Sequence, residues 1–185
     1  MKQLVTFISL ILLSFSAYSL EIGDITMPDT MQAGDQSLML NGAGIRSKFI
    51  FDLYVAGLYL NTKSADAEQV IKADENMTLR LHIISSKITS EKMTNATREG
   101  FDKSTDNNTQ AIASQIDQFL EAFSDEIVDG DVFEFNYQPN QGTIVSKNGV
   151  FKSTVSSLAF KSALFGIWLS DKPVKEKLKS QLLGQ

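Results

Sequence analysis

The chain has 185 residues, 43% apolar and 21% charged, with 17 basic and 22 acidic side chains, a single histidine and no cysteine. A chain of this size buries roughly 68–70% of the surface its unfolded form exposes, so one globular domain with a core and no covalent staple is expected. Disulfides, thiol nucleophiles, redox pairs and zinc sites of Cys and His are excluded, and a net charge of −5 without a Lys/Arg cluster argues against a nucleic-acid partner.

Residues 1–19 read as a secretory signal peptide. Lys2 gives the positive start, Leu4 to Phe15 the apolar stretch, and Ala17-Tyr18-Ser19 the small-x-small cleavage pattern. A membrane anchor is the competing reading, but Gln3, Thr6 and four serines interrupt the uncharged run, and a spanning helix needs about 20 mostly apolar residues. The mature chain is therefore expected to be residues 20–185, one domain exported to a bacterial periplasm, with no stable membrane span after cleavage. No repeat or low-complexity tract marks a second domain.

Ser37 to Leu40 and Phe49 to Leu60 are rich in strand formers and flank a loop expected at Asn41-Gly42-Ala43-Gly44. The second strand is apolar on both parities, as in a strand covered on both faces: Phe49, Phe51, Leu53, Val55 and Tyr59 lie on one side, Ile50, Tyr54, Ala56, Leu58 and Leu60 on the other. Thr78 to Ile84 sends Leu79, Leu81 and Ile83 inward, with Arg80 and His82 on the opposite face. His82 is the only imidazole that a Ser-His-Asp triad has to use, and it is expected as a half-exposed strand residue. Two helices follow. Thr89 or Ser90 is placed to cap the first, with Glu91 at its positive end. The second carries the stripe Ile112, Ile116, Phe119, Leu120, Phe123, a core face rather than a cofactor box.

Asp131 to Tyr137 and Thr143 to Lys147 read as strands separated by a turn at Pro139-Asn140-Gln141-Gly142. Asn148-Gly149 signals a hairpin, because both central positions of such a turn need positive φ. Leu158 to Leu169 is apolar nearly all round, which predicts a buried central helix, and Lys175 to Leu183 closes the chain as a helix after Pro173. Strands, helices, a meander and helices again give an α+β domain with a largely antiparallel sheet covered by helices.

The stretch that carries most chemistry is Asn41-Gly42-Ala43-Gly44-Ile45-Arg46. The two glycines are expected to permit a tight backbone turn. Arg46 emerges beside a doubly apolar strand, a cation aimed at a region poor in water. Neither GxGxxG nor GK[ST] accompanies it, so no phosphate loop is implied. Two readings stand open: Arg46 faces an anionic ligand, or it pairs with a carboxylate such as Asp52 and fixes the turn.

The sequence resembles the chalcone isomerase-like family, in particular its exported bacterial branch. The residues that carry the resemblance are Asn41-Gly42-Ala43-Gly44-Ile45-Arg46, Val55-Ala56-Gly57-Leu58-Tyr59-Leu60, Ser90-Glu91-Lys92 opening a helix, Gly130-Asp131 before a strand, and Ile167-Trp168-Leu169. They span nearly the whole mature chain. The resemblance implies an open-faced β-sandwich, a large antiparallel sheet carrying a layer of helices, with a ligand cleft between the two. In the plant enzymes of that family an arginine in the position of Arg46 stabilises negative charge that develops as a chalcone cyclises. Lys92 matches a second residue of those sites. However, Thr89 stands at the place of a tyrosine, Ala96 at that of an asparagine, and Tyr54 at that of a threonine. Losing preorganised donors of this kind costs about 10² or more in rate each.

A non-catalytic branch binds fatty acids through the equivalent arginine, and this role asks less of the site. The reading is therefore an exported, non-catalytic protein that binds a small amphipathic carboxylate, a fatty acid or an aromatic acid. It uses no metal and no cofactor. Arg46 is the anchor and Lys92 a second cation, with Tyr54, Tyr59 and Thr89 as further ligand-binding residues. Phe49, Phe51, Leu58, Ile112, Ile116, Phe119 and Phe165 join Tyr54 in lining the cleft. One alternative is a lyase or isomerase of enone-like substrates in which Tyr54 or Tyr59 replaces the lost phenol. Another is a cell-envelope interaction module with a filled cleft and Arg46 bound to Asp52.

Overall fold

Alternation at period two, broken by turn residues, carries directly into the sheet. The computed structural model describes residues 20–185, so the signal-peptide reading of residues 1–19 lies outside the described residues. The strands are β1 (Leu20–Ile22), β2 (Ile25–Met27), β3 (Thr30–Ala33), β4 (Gln36–Lys48), β5 (Phe51–Leu60), β6 (Met77–Ile83), β7 (Val132–Gln138), β8 (Gly142–Lys147) and β9 (Val150–Val155). The first two pair as a small hairpin, and β3 to β9 form one seven-stranded antiparallel sheet in chain order. At the turn between β8 and β9, Asn148 (φ 53°) and Gly149 (φ 74°) both adopt the positive φ expected of them.

The helices are α1 (Ala67–Lys72), α2 (Ser90–Ser104), α3 (Ala113–Leu120), α4 (Leu158–Leu169) and α5 (Glu176–Leu182). All five add side chains to one large core on a single face of the sheet. The expected buried helix is α4, opened by the Ser157 hydroxyl, which accepts from the Phe160 N–H at 3.1 Å. A smaller core of Met27, Ala33, Leu38, Leu40, Val55 and Tyr59 occupies the opposite face. The architecture is thus the open-faced antiparallel sheet with a helical layer that the sequence implies.

One expectation is corrected. Asn41-Gly42-Ala43-Gly44 is not a loop, because β4 runs through it unbroken from Gln36 to Lys48. The glycines serve packing instead of turning. A Cβ on Gly42 would lie 2.1 Å from the Gln181 carbonyl oxygen, and one on Gly44 would lie 2.2 Å from the Gln181 side chain. The backbone of α5 therefore rests directly on β4. Asn41 fastens it there: its amide donates to the Leu182 carbonyl at 2.7 Å and to the Ser64 carbonyl at 2.9 Å. Gly42, Gly44 and Arg46 pair with Leu58, Ala56 and Tyr54, all on the helix-covered face. The helix covers the first two positions, and Arg46 comes next along the same face.

The Gly130-Asp131 pair has a structural role. Asp131 is almost wholly buried and accepts from the Val128 N–H (2.9 Å), the Asn148 amide (2.7 Å) and the Lys147 ammonium (2.9 Å). Burial pushes its pKa up, but these three donors outweigh burial and hold it below 3.8. A carboxylate with a depressed folded pKa stabilises the fold above its unfolded value and loses that contribution as pH falls through the folded one. Asp131→Asn is expected to destabilise the protein by about 2–3 kcal/mol at neutral pH. The deficit should shrink below about pH 4, where wild type loses the same contribution. Urea unfolding at pH 7 and pH 3 checks this, and a constant deficit at both would contradict it.

Candidate functional site

Where β4 emerges from under α5, Arg46 and Tyr54 stand opposite each other across the two strands. Between Arg46 and Ser47 the register slips, so Leu53 is an extra residue on β5. A bulge of this kind turns side chains of the wrong parity onto the same face. Phe51 and Leu53, expected with Val55 and Tyr59, consequently join Tyr54 at a cavity between the sheet and helices α2 and α4. The cavity holds about 510 Å³, within the range of roughly 300–1,000 Å³ usual for small-molecule sites.

Its inner wall is apolar, formed by Leu81, Phe119, Phe123, Phe135 and Ile167. Phe119 meets Phe135 at 5.0 Å and Phe123 at 5.4 Å between ring centres, both edge to face. Its mouth is cationic: Arg46, Lys48, Lys87, Lys92 and Lys103 border it against one carboxylate, Glu99. The Arg46 guanidinium is half-buried and donates to the Ser47 carbonyl. Asp52 is engaged elsewhere, accepting from the Ser47 hydroxyl at 2.6 Å. Arg46 belongs to none of the ion pairs among the described residues. Arg46 thus lines the cavity and forms no ion pair with Asp52.

Tyr54 supplies a second polar group. Its phenol oxygen accepts from the Trp168 indole N–H of α4 at 3.0 Å, away from solvent. Burial pushes its pKa up to about 12, although the indole bond and the Arg46 charge both pull it down. The phenol stays protonated at neutral pH. With its oxygen already receiving the indole hydrogen, its own hydrogen is the one left to donate.

The five expected ligand-binding residues divide. Arg46, Tyr54 and Lys92 line the cavity, and the Lys92 ammonium donates to the Lys87 carbonyl at 3.1 Å. Tyr59 does not line it. Tyr59 lies five positions from Tyr54 along a regular strand, an odd step, so it faces away, into the smaller core, where burial raises its pKa. Thr89 also lies outside the lining and caps α2, its hydroxyl accepting from the Lys92 N–H at 3.3 Å. Among the other residues expected at the cleft, Phe49, Phe51 and Phe119 line the cavity, whereas Leu58, Ile112, Ile116 and Phe165 are core. His82 pairs with Val55 on the sheet face turned away from the cavity. Sequence reasoning missed the indole behind Tyr54 and the lysines Lys48, Lys87 and Lys103. Trp168 was within reach, since it belongs to a quoted motif on an all-apolar helix where a lone N–H must find a partner. No group of three or more metal-ligating side chains is clustered among the described residues.

Comparison with known proteins agrees with this architecture. A fatty-acid binding protein from Arabidopsis thaliana, solved by crystallography, superposes with a TM-score of 0.73 at 18% sequence identity, covering 90% of this chain and 96% of that one. No curated protein matches in sequence. The family model described as chalcone isomerase-like matches residues 19–184. With nearly the whole described chain inside that match, the protein belongs to the chalcone isomerase-like family.

Proposed function

We propose that this protein is a non-catalytic carrier of a small amphipathic carboxylate, a fatty acid in the first instance, and that it works in the periplasm after export. The observation that carries this reading is the pairing of Arg46 and protonated Tyr54 at a cavity of about 510 Å³ whose mouth is cationic and whose inner wall is apolar. A carboxylate needs charge-assisted donors, and a guanidinium beside a phenol offers them from one side. An alkyl chain needs only apolar surface, at about 25 cal/mol for each Å² removed from water. The likeness to a fatty-acid binding protein supports the same reading.

The test is direct. Protein recovered from the periplasm is expected to begin at Leu20 and to release a carboxylic acid on extraction, both read by mass spectrometry. Dodecanoate is expected to bind wild type, Arg46→Ala about 10–100-fold more weakly, and Tyr54→Phe about fivefold more weakly, corresponding to one charged and one neutral hydrogen bond. An empty extract together with equal affinities in wild type and Arg46→Ala would overturn the reading. Chalcone turnover above the spontaneous rate, abolished by Arg46→Ala, would select the lyase or isomerase instead.

A further inference from the structure

The turn between β4 and β5 consists of Phe49 and Ile50, 90% and 89% exposed, and Phe51 beside them is 46% exposed. Large apolar side chains standing this far into solvent as neighbours mark a contact surface rather than ordinary surface scatter. Phe49 also holds φ at 56°, a conformation rare for a bulky residue. Strand pairing brings a second turn to the same end of the sheet. Tyr54 pairs with Ile83, His82 with Val132, Phe133 with Lys147, and Lys147 with Val150. Val150 and Phe151 are each 62% exposed there, and Val128, before β7, is 48% exposed.

Cations flank the first turn. Lys48, Lys87 and Lys92 are exposed, border the same cavity mouth as Phe49 and Phe51, and join none of the ion pairs among the described residues. Lys87 lies 5.5 Å above the Phe51 ring. The acid closest in sequence, Asp52, is held by Ser47. At the second turn, Asp125 and Asp131 are matched by Lys152 and Lys147, but Glu126 and Asp129 join no ion pair among the described residues, so this turn is not edged with net positive charge as the first is. In a chain of net charge −5, the more exposed of the two apolar turns, Phe49 and Ile50, is thus edged with positive charge.

We propose that this turn docks the protein on an anionic phospholipid bilayer, with Phe49 and Ile50 in the headgroup layer and Lys48, Lys87 and Lys92 against lipid phosphates. Apolar residues that enter the interface while lysines remain at the phosphates are the usual chemistry of reversible membrane association. No helix among the described residues is long and apolar enough to cross a membrane, so the contact is peripheral. A second copy of the chain fits less well, because a two-fold contact through this turn would set the lysines that edge it, Lys48, Lys87 and Lys92, against those of the other copy. The docking stands on the turn alone. Its corollary, that the mouth of the cavity exchanges its guest with the bilayer, rests on the carrier reading.

The test is co-sedimentation of the exported protein with vesicles of phosphatidylcholine alone or with phosphatidylglycerol as about a third of the lipid. Binding is expected to be about tenfold stronger to the anionic vesicles and to weaken as salt is raised. Ile50→Asp is expected to lower it at least tenfold. Ile50 does not line the cavity, so its thermal unfolding and its dodecanoate affinity in solution should match wild type. Undiminished vesicle binding by Ile50→Asp would overturn the proposal. So would a dimer in gel filtration that the substitution dissolves while wild type ignores vesicles. If vesicles bind and dodecanoate does not, the carrier reading fails and the docking stands.

Discussion

Gly42→Ala is expected to destabilise the protein by about 3 kcal/mol or more, at the upper end of overpacking costs. A methyl group there would sit 2.1 Å from the Gln181 carbonyl oxygen and 2.8 Å from that of Leu182, and both are backbone atoms of a helix end. Backbone cannot swing aside as a side-chain tip does, so α5 must lift from β4 or the strand must bend. Lifting it breaks the Asn41 bond to Leu182 and exposes Leu178 and Leu182, both fully buried. For a domain of this size the loss corresponds to a melting temperature lower by about 6–12 °C. Amide exchange over residues 176–182 should accelerate in step. Gly44→Ala serves as the comparison. Its methyl meets mainly the Gln181 side-chain amide, which can rotate away, so its cost is expected to be smaller. Equal melting temperatures for wild type and Gly42→Ala would refute the packing role of the glycine pair.

The second large effect belongs to Lys161, the buried lysine of α4. It has no exposed surface, and its ammonium donates to the carbonyls of Val70 (2.9 Å), Ile71 (3.0 Å) and Ala73 (2.7 Å) at the end of α1. The rings of Tyr137 and Phe165 lie 5.5 and 5.4 Å away. The lysine thus caps a helix from a different part of the chain. Methionine fills a similar volume but donates nothing, leaving the Val70 and Ala73 carbonyls without this donor, whereas Ile71 keeps the Ser162 hydroxyl at 3.0 Å. Lys161→Met is expected to cost about 2–4 kcal/mol, one to two buried acceptors left unpaired.

The same residue sets a pH dependence. Burial pushes the Lys161 pKa down to about 8, against the pull of Asp74 and Glu75. Between pH 8 and the ordinary value of 10.5 the unfolded chain holds a proton that the folded one has released, so wild-type stability rises with pH through that window. Lys161→Met has no such rise. The gap between the two proteins should therefore widen from pH 8 to 10, at up to about 1.4 kcal/mol per pH step. Tyr54 and Tyr137, both pushed up to about 12 by burial, act in the opposite sense above pH 10 but do so in both proteins. Chemical denaturation at pH 7, 8, 9 and 10 reads the difference, and a gap that narrows would contradict the assignment.

Legibility in the sequence followed the range of the interaction. Parity placed Leu79, Leu81 and Ile83 in the core, Asn148-Gly149 fixed a hairpin, and the unbroken apolar run of α4 announced its burial. Each of these rests on neighbours within a few residues. Asn41 to Gly44 misled because the partner that explains the glycines, α5, lies about 140 residues away along the chain. Strands β1 to β3 and helix α1 are too short to show a period and went unpredicted. Arg46 was legible as a candidate from its setting. Tyr59 was expected at the ligand together with Tyr54, although the parity read from the sequence already put the two on opposite faces, as they are. The bulge at Leu53, by contrast, leaves no trace in composition, and it is what brings Phe51 and Leu53 to the cavity.

Trp168 is the only tryptophan in the chain. Its ring forms part of the cavity wall while its N–H is fastened to Tyr54. The molecule's sole strongly emitting fluorophore therefore stands in the wall of the cavity that the carrier proposal gives to the guest. Light collected from an unlabelled sample comes from a single known position, free of background from other indoles, so filling and emptying can be followed in real time without attaching a dye.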